Sequence, residues 1–225
     1  MTTGAPRIRP ATGGDVPAML DVFAGAFAND PHTRLQIAWQ GADAMRRGMD
    51  AAMRSWLAAP AAHLLVAEDA ASLAVLGWAC WAEVAPEREA GPVPGDEQAP
   101  AVSTSPIEAL QRLTGDDIRQ CQRDVLARYG AVDVLVAIAV DPAHQSRGVG
   151  SLLIRWGTQR ADARDRVCWV HASEAGSRAF ARHGFDPHRD LTIELAPFAP
   201  PGDDRTWGTV RFRSMTRQPR TDDSA

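Results

Sequence analysis

Apolar positions change their period along this chain, and the changes divide it into elements. Ile8 to Pro10 reads as a short first strand. Gly13-Gly14-Asp15 then offers a cap, with Pro17 in the first turn, for a helix running to about Ala28. From Asp43 to Ala58, Ala44, Met45, Met49, Ala52, Met53 and Trp56 recur at helical spacing, so this stripe faces a core. His63 to Glu68 and Leu73 to Glu83 predict two antiparallel strands joined near Asp69-Ala70-Ala71-Ser72. Within the second, Trp78 and Trp81 point to opposite faces, so only one of them can face a cleft. Val84 to Thr104 lacks periodicity and is rich in Pro, Gly, Glu and Ala, which predicts a mobile loop. Ser105-Pro106-Ile107-Glu108 is a capping box, and Thr114-Gly115-Asp116-Asp117 is expected to break and restart its helix before Gly130.

Val134 to Val140 is apolar on both faces, as expected of a central strand covered by helices on each side. Val149, Leu152, Leu153 and Trp156 share one face of the next helix. Val167 to Ala172 reads as a strand, Ala175 to His183 as a short helix, and Leu191 to Leu195 with Thr206 to Thr216 as a terminal hairpin. The pattern gives one α/β domain over residues 5–217, with a loop-helix insertion at about 84–130 and a solvated tail at 218–225. A chain of 225 residues, 45% hydrophobic, is long enough to bury the core of a single large domain.

Charge and composition narrow the function. A net charge of −4 gives no basic footprint for nucleic acid and mildly favours approach of a cationic amine. Cys80, Cys121 and Cys168 are widely spaced, and the six histidines form no H-E-x-x-H motif, so reduced thiols and no metal are expected. Met1 to Pro10 carries no signal-peptide core, and Val134 to Val140 is too short to span a bilayer; a cytoplasmic protein with no membrane partner is expected.

Gln145-Ser146-Arg147-Gly148-Val149-Gly150-Ser151 links the central strand to the following helix, so backbone N–H groups and the positive end of the helix dipole converge on one spot suited to a pyrophosphate. A P-loop needs a lysine, and this chain has none. A dinucleotide fingerprint needs a third small residue where Leu153 stands. The remaining Q-x-x-G-x-G pattern resembles the acetyl-CoA loop of the GCN5-related N-acetyltransferases, the GNAT family. The resemblance extends to Arg7 to Leu20, which looks like the family's first strand and helix. It also covers Ala139 to Gln145, before the loop, and Phe180-Ala181-Arg182-His183-Gly184-Phe185, which resembles a Tyr-x-x-x-Gly-Phe element. The nearest branch in appearance contains puromycin acetyltransferase and related small-amine enzymes.

The resemblance implies a mostly antiparallel mixed sheet of about seven strands, splayed between the fourth and fifth, and transfer of an acetyl group from acetyl-CoA to the primary amine of a small molecule. It implies that Ile138, Ala139 and Val140 flank the pantetheine arm, Ile138 and Val140 by main-chain hydrogen bonds, with the Val140 amide polarising the thioester oxygen. It implies that Gln145, Ser146, Arg147, Gly148, Val149, Gly150 and Ser151 bind the cofactor, with the backbone amides from Arg147 to Ser151 holding the pyrophosphate, and that Ser173 and Phe180 lie along the arm. Phe180 replaces the tyrosine that protonates the leaving thiolate in many relatives. His171 in the fifth strand is the candidate general base, suited to deprotonating an ammonium near neutral pH; Glu83 and Asp133 at strand ends are the alternatives. The insertion is expected to wall the acceptor side, favouring a small amine over a protein or peptide substrate. A non-catalytic acyl-CoA sensor is the reading that Phe180 leaves open. A monomer or homodimer is expected.

Overall fold

The computed structural model describes residues 4–86 and 105–220. Much of the expected mobile loop (87–104) and the end of the expected tail (221–225) lie outside the described residues. Seven strands form one mixed sheet: β1 (Pro6–Pro10), β2 (Ala62–Asp69), β3 (Val75–Val84), β4 (Val132–Val140), β5 (Val167–Ser173), β6 (Asp186–Glu194) and β7 (Thr209–Arg217). Their order is β1-β2-β3-β4-β5-β7-β6, with every neighbouring pair antiparallel except β4 with β5. The α/β class and strand number are those expected.

Among the described residues, six α-helices flank the sheet: α1 (Val16–Ala26), α2 (Pro31–Gln40), α3 (Ala42–Ala58), α4 (Pro106–Tyr129), α5 (Val149–Asp162) and α6 (Glu174–Ala181). On one face, α1 and α3 bury Val16, Met19, Met53 and Trp56 against Val66, Trp78 and Ala139. On the other, Leu153 and Ile154 of α5 and Phe180 of α6 pack on Leu65, Trp81, Leu135 and Val170. Trp78 and Trp81 therefore point to opposite faces, as their spacing predicts, and both are core: their indole N–H groups donate to the carbonyls of Met19 (2.9 Å) and Leu153 (3.2 Å). Gly157 allows the second contact, since a Cβ there would fall inside the Trp81 ring.

The pattern of apolar residues did not indicate α2, because Leu35 is its one buried side chain. Local chemistry makes this helix instead. The Asp30 carboxylate accepts from the Thr33 amide at 2.8 Å, Pro31 opens the first turn, and Gly41 ends it at φ 81°. The expected break at Thr114-Gly115-Asp116-Asp117 does not occur: α4 is one continuous helix of 24 residues. Ser105 caps it through the Glu108 amide at 3.4 Å, and the Thr114 hydroxyl donates back to the Leu110 carbonyl at 3.1 Å, which leaves the helix intact. Its N-terminal turns pack Ile107 and Leu110 against β6 and β7. Its C-terminal half packs Cys121, Val125 and Leu126 against the starts of β4 and β5. Among the described residues, no helix is long and apolar enough to cross a membrane.

Candidate active site

β4 carries the feature that makes a site. Against β3, Cys80 pairs with Ala137 but Trp81 pairs with Leu135, so Val136 is an extra residue in β4. Val136 and Ala137 consequently both pack toward α1 and α3, and alternation resumes only at Ile138. Such a bulge bends its strand. The parallel pairing of β4 with β5 runs from Val132↔Val167 to Leu135↔Val170 and stops there, one residue before the bulge. Beyond it β4 stays paired to β3 through Val140, while β5 stays paired to β7 through Ser173. The sheet thus opens into a V whose two inner edges are unpaired main chain.

The mouth of this V is closed by the loop into α5. Asp141 turns the chain by accepting from the Ala143 amide at 2.8 Å, and Gln145 Nε2 donates to the Val140 carbonyl at 3.1 Å, fastening the loop to the strand end. Ser146 (φ 59°) and Gly148 (φ 87°, ψ −4°) are left-handed, a backbone that turns successive N–H groups toward one point. Leu152 is the first amide to find a helical acceptor, the Gly148 carbonyl at 3.0 Å; those of Val149, Gly150 and Ser151 project from the helix end. The Ser151 hydroxyl lies 3.0 Å from His183 Nε2. Burial, together with the charges of Arg155, Arg182, Arg217 and Arg220, pushes the His183 pKa down, so this helix N-terminus sits in a strongly basic setting. Amides, dipole and guanidinium groups all suit a bound phosphate anion.

At the apex of the V stands His171, the first β5 residue past the pairing with β4. Its Nε2 is 3.0 Å from Oδ2 of Asp117, a buried residue in the middle of α4, and its ring stacks on Phe212 with centroids 5.3 Å apart. Phe212 in turn meets the His32 ring edge-on at 5.4 Å. Burial lowers the His171 pKa from its ordinary value, the Asp117 carboxylate pulls it back up, and Arg189 lowers it further.

Glu83 and Asp133 are not brought to the V. They face one another across β3 and β4 at the opposite end of the strands, Asp133 being seven residues before Val140 and so roughly 23 Å from it. Both Asp133 oxygens accept from Arg164 Nη2 at 2.8 Å. Glu83 accepts from Arg160 (2.8 Å), Arg164 (2.5 Å) and Arg166 (3.1 Å). Burial raises the Glu83 pKa, but hydrogen bonds from Arg160, Arg164 and His63 outweigh it and hold the carboxyl at about 2. Glu83 so occupied has little proton affinity to offer a substrate, whereas burial raises the Asp133 pKa against the opposing charges of Arg164 and Arg166; the network braces the closed end of the V.

Residues 117–185, from mid-α4 through the loop to the end of α6, match the model of the acetyltransferase (GNAT) family. The chain carries the GNAT fold. Among solved structures, a Corynebacterium glutamicum protein described as histone acetyltransferase HPA2 and related acetyltransferase is 23% identical, with TM-score 0.57 over 97% of this chain and 99% of that one. A mosquito arylalkylamine N-acetyltransferase-like protein is 15% identical, with TM-score 0.65 over 95% and 100%. A Drosophila melanogaster polyamine N-acetyltransferase is 14% identical, with TM-score 0.61 over 95% and 100%. The family match covers residues 117–185, and the three solved structures share the fold.

On the GNAT frame the remaining sequence candidates take definite places. Ile138 and Val140 turn their side chains toward α5, and Ala139 is buried toward α1. The Ser173 hydroxyl caps α6 by accepting from the Gly176 amide at 3.3 Å. Phe180 is 3% exposed, edge-on to Phe185 with centroids 5.6 Å apart, on the α5 side of the sheet. Sequence reasoning missed Asp117, His183, Phe212 and His32 as site residues. Asp117 had one legible signal: Ile107, Leu110, Thr114, Asp117, Cys121 and Val125 follow helical spacing, so a carboxylate occupies a core-facing position. The others gave none, because their neighbours come from distant segments.

Proposed function

We propose that this chain is an acetyl-CoA-dependent N-acetyltransferase that acetylates the primary amine of a small molecule, within or near the small-amine branch that its motifs resemble. The observation that carries this reading is the V itself: β4 leaves β5 at the Val136 bulge, directly above a left-handed glycine turn at the N-terminus of α5. A pantetheine arm pairs like a strand, and the inner edge of β4 from Val136 to Val140 supplies the main-chain groups it needs. The amides from Arg147 to Ser151 hold the pyrophosphate, with Arg147 adding charge. Bound acetyl-CoA supplies the activated acyl group; the protein supplies orientation, a hydrogen-bond donor at the Val140 amide, and a base.

His171 is that base in this reading. It lies on the face of β5 shared by Val167 and Trp169, toward α4, and Phe212 and His32 give the adjoining surface an aromatic character. Such a wall suits an amine with an apolar body better than an extended peptide. Phe180, in place of the tyrosine usual in many relatives, supports a second reading, in which the chain binds acyl-CoA without turnover. A screen for CoA release across amine and peptide panels tests both, alongside calorimetry of acetyl-CoA binding. Release with small amines supports the transferase. Tight binding with no release from any acceptor overturns it in favour of the sensor, and absence of binding overturns both.

A further inference from the structure

Asp117 is a carboxylate set in the apolar stripe of α4, where an isolated charge costs several kcal/mol in lost hydration. Two partners offset that cost. Arg189 Nη2 approaches Oδ1 at 2.8 Å as an ion pair that lacks hydrogen-bond geometry, and His171 Nε2 meets Oδ2 at 3.0 Å in a hydrogen bond. A carboxylate can only accept, so the imidazole nitrogen facing it carries the proton, and the lone pair of the neutral ring resides on Nδ1. The stacked Phe212 ring fixes the plane of the imidazole, leaving Nδ1 as the nitrogen with no partner among the described residues.

Resting on the acetyl-transfer reading, we propose that Asp117 is the positioning residue of the reaction: it fixes His171 in the Nε2–H tautomer and makes Nδ1 the atom that takes the proton from the substrate ammonium. The freed amine nitrogen gives its lone pair to the acyl carbon, forming the N–C bond. The C–S bond then breaks with its electron pair remaining on sulfur, and the second amine proton passes to the thiolate. The imidazolium formed on the way is stabilised by the same carboxylate and returns its proton to solvent. Nothing in this sequence needs a further reactant. The charged and titratable groups around the ring are Asp117 and Cys121 of α4, Arg189 of β6 with Asp124 3.8 Å from it, and His32 of α2 beyond Phe212.

Two variants and one spectrum test it. Asp117→Asn keeps the shape, removes the charge and offers an amide N–H to Nε2. Turnover is expected to fall about 10²-fold or more, with acetyl-CoA affinity within twofold. The acid limb of the kcat/KM profile should move to lower pH, because the group that holds the imidazolium is gone. Arg189→Gln should move that limb the other way, to higher pH. Nitrogen NMR of histidine-labelled wild type should show the Nε2–H tautomer and a His171 midpoint matching the limb. An active wild type whose Asp117→Asn turnover stays within threefold and whose acid limb does not move overturns the proposal, as does an Nδ1–H tautomer. If Asp117→Asn fails to fold, the Arg189→Gln limb and the wild-type spectrum decide. A wild type that binds acetyl-CoA yet releases no CoA with any amine overturns the transferase reading itself, a result distinct from an active enzyme indifferent to Asp117.

Discussion

Gly148 and Gly150 stand two residues apart in the proposed pyrophosphate loop, and the structure gives them different reasons to be glycine. Gly148 has φ 87° with no atom within 4 Å of an added Cβ, so its constraint is conformational. Alanine there meets the left-handed penalty of about 1–2 kcal/mol, which for a chain of this size lowers Tm by about 2–8 °C. Gly150 has no positive φ, and its added Cβ would touch only Val140 Cγ2 at 3.6 Å, an ordinary contact. Alanine there should leave Tm unchanged or raise it, since glycine costs a helix up to about 1 kcal/mol. Yet that methyl group stands at the proposed phosphate loop, against Val140 at the end of β4. Calorimetry of acetyl-CoA is therefore expected to show at least about a tenfold loss in Gly150→Ala, equivalent to about 1.4 kcal/mol. Gly150→Asp adds a like charge at about 4 Å, worth about 4 kcal/mol at the dielectric of a protein surface, and should abolish measurable binding while the protein stays folded. Melting curves and calorimetry on the same samples separate the two effects. Affinity within twofold of wild type in both Gly150 variants would refute the loop as the anion site.

His171→Ala should lower turnover about 10²-fold or more near neutral pH with acetyl-CoA affinity unchanged; because burial lowers the His171 pKa, the acid limb of wild-type kcat/KM should lie below the ordinary imidazole range, and turnover of His171→Ala within a few-fold of wild type would exclude His171 as the base. Phe180→Tyr should raise turnover several-fold where departure of the thiolate limits the rate; unchanged turnover with a lowered Tm would confine residue 180 to packing beside Phe185. Glu83 titrates at about 2 when folded and at about 4.5 when not, so its contribution to stability is present above 4.5 and lost as pH falls toward 2. Glu83→Gln should therefore lower stability at pH 7, flatten the acid side of the unfolding profile over that window, and leave acetyl transfer intact; a collapse of kcat alone would restore Glu83 as a base candidate.

The parts of the fold legible in the sequence were those written in short-range pattern. The strands around Trp78, Val134 to Val140 and Val170, the helix with its stripe at Met53 and Trp56, and the glycine turn before α5 each carry their signal within a dozen residues. The helix α2 was written in its caps, Asp30-Pro31 and Gly41, and a search for apolar periodicity passes over such punctuation. Gly115 suggested a break in α4 that burial on either side of it overrides. In the site, His171 could be singled out by residue type and strand position. Its partner could not, because Asp117 reaches it across 54 positions of chain through the docking of α4. Glu83 and Asp133 show the converse: a strand-end carboxylate looks the same in sequence whether it faces a substrate or three arginines.

The V has a mechanical meaning as well as a chemical one. The sheet is two half-sheets, β1 to β4 and β5 to β6, stitched together by only four residue pairs between Val132 and Leu135 on one side and Val167 and Val170 on the other. A donor whose arm lies between the open edges completes the interrupted ladder and becomes, for as long as it stays, a missing strand of the protein. Its affinity is then also cohesion: at a hundred times its dissociation constant such a ligand adds about 2.7 kcal/mol to the folded state by mass action. On the proposed function, product release, in which the same arm must leave, would loosen the seam again, so each catalytic cycle would clasp and unclasp the two half-sheets.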